Sequence, residues 1–168
     1  MVTFVIAGCR KVEDLPYYDK GKAVTLTASK TTIAPAAADS TNNVVTFSWT
    51  NPEYATDSTN QKFILEIDSA GRNFSKKVTS VVTGTLNTGF TGQQLNNILA
   101  GFGFAPGQTF SFDIRVISSY ANNNEPYISN VIKVDITSYK VPITLAPSSS
   151  SPLVLQVSNA TNTAVSRF

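Results

Sequence analysis

Phe110-Ser111-Phe112-Asp113-Ile114-Arg115-Val116 is the stretch that decides the fold. Every second residue is apolar and the residues between are polar or charged, which is the pattern of a strand with one face on a core and the other towards water. The same alternation recurs on both sides of it. Downstream, Ile128, Ile132, Val134 and Ile136 share one parity, with Lys133 and Asp135 opposite. Upstream, Phe63, Leu65 and Ile67 alternate with Ile64, Glu66 and Asp68. Val45, Phe47 and Trp49 alternate with Thr46, Ser48 and Thr50, and Val24, Leu26 and Ala28 with Thr25, Thr27 and Ser29. Val78 to Val82 is a weaker sixth strand and Leu86 to Phe90 a short seventh. Alternation on one face predicts antiparallel pairing.

One helix interrupts the strands. Thr91-Gly92-Gln93-Gln94 has capping-box spacing, so the Thr91 hydroxyl can accept from the amide three residues on. Leu95, Ile98, Leu99 and Phe102 then recur at helical spacing as one apolar stripe. Gly101 and Gly103 supply a stop, and Pro106-Gly107 turns the chain into the next strand. The expected fold is all-β: an immunoglobulin-like two-sheet sandwich of about seven strands, with one short helix near residues 92–102. Trp49 shares parity with Val45 and Phe47 and is expected in the core.

Composition narrows the chemistry. The chain has 168 residues, a net charge of +2, no histidine and one cysteine. Without histidine there is no Ser-His-Asp or Cys-His arrangement, and the commonest transition-metal ligand is missing. An enzyme would have to run on carboxylates alone, and the reading is of a non-enzyme without cofactor or metal. Lys76-Lys77 is the densest positive spot after Arg10-Lys11, which argues against a nucleic-acid partner. No apolar run approaches the roughly 20 residues that span a bilayer.

The ends carry different signals. Val5-Ile6-Ala7-Gly8-Cys9 reads as a lipobox, in which small residues precede a cysteine that accepts the lipid. Residues 1–9 are then the end of a lipoprotein signal and Cys9 the lipidation site. The segment before Cys9 lacks a basic n-region, so an apolar N-terminus with a chance cysteine is the alternative. Residues 10–22 are polar, with Pro16 and Gly21, and form a tether. The sandwich occupies residues 23–140. After it, Ile143-Thr144-Leu145 echoes Val24-Thr25-Leu26, and Ala164-Val165-Ser166-Arg167-Phe168 echoes Asn43 to Phe47. Residues 141–168 therefore read as the start of an incomplete second domain of the same kind. A Ser/Pro-rich tail with coincidental matches is the plainer alternative.

Several of these features occur together in one known family. They are the lipobox and tether, Val24 to Ala28, Phe47-Ser48-Trp49-Thr50, and Phe63 to Asp68 followed by Ala70-Gly71-Arg72-Asn73-Phe74. After them come the helix, Pro106-Gly107 and Tyr127-Ile128-Ser129-Asn130-Val131. In this order they resemble the N-terminal domain of SusE-type outer-membrane starch-binding lipoproteins. The resemblance implies a lipid-anchored, surface-exposed protein of the outer membrane. Its implied partners are a TonB-dependent transporter, companion lipoproteins and a starch-like polysaccharide held by further C-terminal domains. The implied function is non-catalytic: a component of glycan capture and uptake in which this domain is a spacer. The alternative from the residues alone is an immunoglobulin-like adhesion or scaffold module with a protein partner and no glycan.

Should the sandwich itself touch sugar, it needs aromatic faces beside amides or carboxylates. Tyr120 and Tyr127 flank Ala121-Asn122-Asn123-Asn124-Glu125-Pro126, the expected loop between the last two strands, and Tyr54 sits in another loop beside Asn51 and Glu53. Tyr120, Tyr127, Asn123 and Tyr54 are the candidate glycan-binding residues. Set against this, the tyrosines can simply cap the end of the sandwich. Glu66 and Asp68 project from one strand face two residues apart; the plainer reading of this pair is a solvated sheet face with a cross-strand partner in Arg115.

Overall fold

The computed structural model describes residues 20–141. The lipobox with Cys9, most of the tether and the echo in residues 142–168 lie outside the described residues. In chain order the strands are β1 (Leu26–Ala28), β2 (Thr32–Ile33), β3 (Asn43–Trp49), β4 (Gln61–Ser69), β5 (Val78–Thr83) and β6 (Asn87–Thr91). The helix α1 (Gly92–Gly101) follows, then β7 (Thr109–Tyr120), β8 (Tyr127–Ile128) and β9 (Ile132–Thr137). They form two sheets, β1-β3-β6 and β2-β9-β7-β4-β5, with β8 attached to β7. The fold is the expected all-β sandwich with one short helix.

All seven expected strands are present, the two weak ones included. β5 pairs with β4 from Lys62↔Thr83 to Ile67↔Val78, and β6 pairs with β3. The alternation fills the space between the sheets. Leu26, Phe47 and Trp49 from the smaller sheet meet Phe63, Leu65, Phe112, Ile114 and Val116 from the larger one, all buried. Trp49 and Phe63 have ring centroids 5.2 Å apart, so Trp49 is a core residue as expected.

Helix α1 closes one end of the sandwich with Leu95 and Leu99 buried. Its capping box is complete: Gln94 N donates to Thr91 Oγ1 at 3.2 Å, and Thr91 N to Gln94 Oε1 at 2.8 Å. At its far end Gly103 takes φ +81°, and Phe104 N and Gly103 N donate to the Leu99 and Ala100 carbonyls. That is a Schellman ending, which requires the left-handed residue that glycine supplies. It delivers Phe104 onto Phe110, with parallel rings 3.8 Å apart.

Two expectations need correction. Ile128 was expected on the buried parity of Ile132, yet it is 53% exposed. The cause lies between them. The Ser129 N–H donates to the Val116 carbonyl and its hydroxyl accepts from Val116 N, while the Asn130 amide bonds both Leu26 N and Leu26 O. Asn130 thus ties the larger sheet to β1 across the sandwich, and the strand breaks and restarts on the other parity. Secondly, Glu66 and Asp68 do not lie on a solvated face: they are 2% and 0% exposed. The connection from β4 to β5 folds back over them and brings Phe74 onto the Arg115 guanidinium, 3.9 Å from ring centroid to Cζ. Beneath it Glu66 holds Arg115 at 2.7 Å and Lys77 at 2.6 Å, so the expected cross-strand partner is present. Asp68 accepts from Ser69 N and Lys76 N, and Asp113 from Gly71 N, so backbone amides satisfy both carboxylates.

Candidate functional site

The candidate residues gather at the end of the sandwich opposite the helix. β7 runs to Tyr120, which stands opposite Gln61 at the start of β4. The loop 121–126 then returns the chain to β8, while the connection between β3 and β4 crosses the same end. Tyr54, distant in sequence, therefore meets both other tyrosines. Its ring lies 4.5 Å from that of Tyr120 and 6.3 Å from that of Tyr127, each pair tilted by 40°.

This packing covers two of the three rings. Tyr54 and Tyr120 are buried. Tyr54 is also pressed by backbone, because a Cβ on Gly21 would stand 2.2 Å from its ring. Its hydroxyl donates to the Glu125 carbonyl at 2.6 Å. Burial raises the Tyr54 phenol above its ordinary value, so the group stays a donor at neutral pH. Tyr127 is half-buried, and its hydroxyl reaches Glu125 Oε2 at 3.4 Å. Its phenol is likewise raised, by desolvation and by the Glu125 carboxylate.

The exposed part of the site is polar. Asn123 accepts from Lys62 Nζ at 2.8 Å. Asn122, Asn124, Glu125, Asn60, Thr56 and Lys20 stand around a cleft of about 700 Å³, with Tyr120 and Ala121 completing its wall. That volume is within the range of small-molecule sites. The backbone here is strained: Glu53, Asn123 and Glu125 have φ of 57°, 68° and 51°. Asn tolerates the left-handed region, but for Glu it is uncommon and must be held by its surroundings. Tyr54 Oη fixes Glu125 through its carbonyl, and Lys22 anchors Glu53 by an ion pair and bonds the Pro52 carbonyl.

The structure thus brings Tyr54, Tyr120, Tyr127 and Asn123 into one cluster. It lines the cleft mainly with amides, a carboxylate and an ammonium, and the ring of Tyr120 in its wall is largely buried. Sequence reading did not single out Lys20, Thr56 or Asn60 as lining residues. No local motif marks them; they join the site because the β3–β4 connection and residues 20–22 both pack on the loop after β7. Among the described residues no group of His, Cys, Asp or Glu is arranged to hold a metal.

The family model described as SusE outer membrane protein matches residues 11–117. The chain belongs to the SusE family. The family places it in the outer membrane as a component of the Sus system. The matched segment contains Tyr54 and the sandwich as far as Ile117, whereas Tyr120, Asn123 and Tyr127 follow it. No curated protein matches this SusE-family chain. No helix among its described residues is long and apolar enough to cross a membrane.

Proposed function

We propose that this SusE-family chain is a non-catalytic, lipid-anchored surface component of an outer-membrane system that captures and imports starch-like glycan, with the described sandwich as its spacer. The observation that carries the spacer reading is the path of the chain. Residues 20–22 pack on the tyrosine end, through Gly21 against Tyr54 and Lys22 against Pro52. Tyr139 leaves at the helix end, where its N–H donates to Asn96 Oδ1. The two ends are separated by the 12 residues of β7, roughly 40 Å at the rise of a strand. A module that takes the chain in at one end and releases it at the other sets a fixed distance between its neighbours.

In this reading Cys9 carries the acyl chains, residues 10–22 span from bilayer to sandwich, and residues 23–140 are the spacer domain. Residues 141–168 begin a second domain of the same kind. Glycan is held by domains beyond, beside a TonB-dependent transporter and companion lipoproteins. Affinity electrophoresis of the chain through starch tests the assignment of roles: a spacer migrates unchanged. Retardation that Tyr127→Ala abolishes would instead make the tyrosine end of the sandwich a glycan site. The anchor has its own test, since a palmitate analogue should label the protein in cells and Cys9→Ala should remove the label. A label that persists in the variant refutes anchoring at Cys9.

A further inference from the structure

β5 is the outermost strand of the larger sheet, bonded to β4 on one side and to no other strand among the described residues. Other edges of the sandwich are blunted by brevity: β2 and β8 have two residues each and β1 has three. The edge strand β6 carries a glycine at its centre, Gly89, and its pairing with β3 shifts register between Asn43 and Val45. β5 has none of these guards. It reads Val78-Thr79-Ser80-Val81-Val82-Thr83, with no charge, proline or glycine, and pairs with β4 without a bulge. A regular, uncharged edge of β-branched residues is a template for another strand.

The register shows what such a strand would meet. Val78, Ser80 and Val82 face inward, opposite Ile67, Leu65 and Phe63. Thr79, Val81 and Thr83 face outward, and Val81 is 61% exposed. Val81 begins an apolar row across the outer face, continuing through Ile64 and Ile117 to Ile128.

We propose that β5 joins two copies of this chain, strand to antiparallel strand, about a two-fold axis at Val81. The strand's self-complementary register and the apolar row that leads to it favour a second copy as the occupant. A neutral strand offers nothing to select a charged foreign strand, and pairing with itself brings no like charges together. In this register the nearest cations, Lys76 and Lys77, fall opposite Leu86 and Thr85 rather than each other. Val81 meets Val81 and Thr79 meets Thr83, cross-strand pairs of β-branched residues. The apolar row then runs unbroken from Ile128 of one copy to Ile128 of the other. One strand about 20 Å long buries less than the ~800 Å² per partner of a standard interface, so the pairing is weak. Copies confined to one outer membrane meet at high effective concentration, which suits a weak contact.

Sedimentation velocity of the 168-residue chain, carrying Cys9→Ser so that neither lipid nor disulfide links two copies, tests this from about 1 μM to about 1 mM. The expected result is a reversible monomer–dimer equilibrium. Val81→Lys should weaken it by at least about tenfold, since a lysine guards an edge, whereas Val81→Thr should leave it unchanged. Thermal unfolding of both variants checks that the fold is kept. A monomer at every concentration overturns the proposal and leaves the edge to a strand from another protein. A dimer that Val81→Lys does not weaken also overturns it, by placing the contact elsewhere.

Discussion

Phe112→Ala should destabilise the sandwich by about 4 kcal/mol, in the range found when a buried phenylalanine is truncated and its neighbours relax only in part. Phe112 is fully buried on β7. Its ring stands 5.6 Å from Phe102 and 5.9 Å from Phe104, at the point where the helix meets the core. Those neighbours cannot readily collapse into the space. Phe102 is the residue that caps the helix, and Phe104 is held by the Schellman hydrogen bond to Leu99. The cavity therefore persists, and the cost should appear as a lowered urea midpoint with unchanged slope and a fall in Tm of about 15 °C. Val81→Ala, at an exposed position, is the comparison and should cost less than about 0.5 kcal/mol. A loss below about 1 kcal/mol for Phe112→Ala would show that the helix end repacks and does not lock the sandwich.

How far the sequence could be read follows from which forces leave a local trace. Burial on one face writes itself as period two, so Phe110 to Val116 and Phe63 to Asp68 are legible as strands from their own residues. The cap of α1 is legible for the same reason, since Thr91 and Gln94 satisfy each other within one turn. Contacts between segments far apart in the chain leave no such trace. Asn130 reaches Leu26 across the sandwich and, with the Ser129–Val116 bonds beside it, holds the break at which the last strand changes parity. Tyr54 comes against Tyr120 only because the β3–β4 connection crosses the end of β7. The residues suggested three aromatic faces for a ligand; the fold packs two of them against each other and leaves Tyr127 half-buried, beside a polar cleft.

The outer face of the larger sheet is where local reading and fold diverge most, and it carries the second large effect. Arg115→Ala should cost about 3 kcal/mol, the lower end of the range for breaking a buried ion pair, because Lys77 still faces Glu66. Glu66 is nearly inaccessible, so removing the guanidinium leaves a buried carboxylate with one partly exposed cation in place of two. The same substitution removes the cation beneath the Phe74 ring, a contact of about 1 kcal/mol. Phe74 takes φ 58° and Asn73 φ 50°, a left-handed pair that needs such a contact to hold it. The covering segment should therefore loosen along with the loss of stability. Trypsin reads this directly, because Arg72, Lys76 and Lys77 all lie in that segment. Cleavage there should be faster in Arg115→Ala than in the parent protein under conditions where both are folded. Arg115→Lys should fall between them, since an ammonium keeps the charge beside Glu66 but lacks the flat surface that Phe74 covers. Glu66→Gln should cost less than Arg115→Ala, because its amide oxygen still accepts from Arg115 Nε and no buried anion remains. If Arg115→Ala leaves both trypsin cleavage and the urea midpoint unchanged, then the ion pair does not hold the β4–β5 connection, and Phe74 alone must keep Glu66 and Asp68 from water.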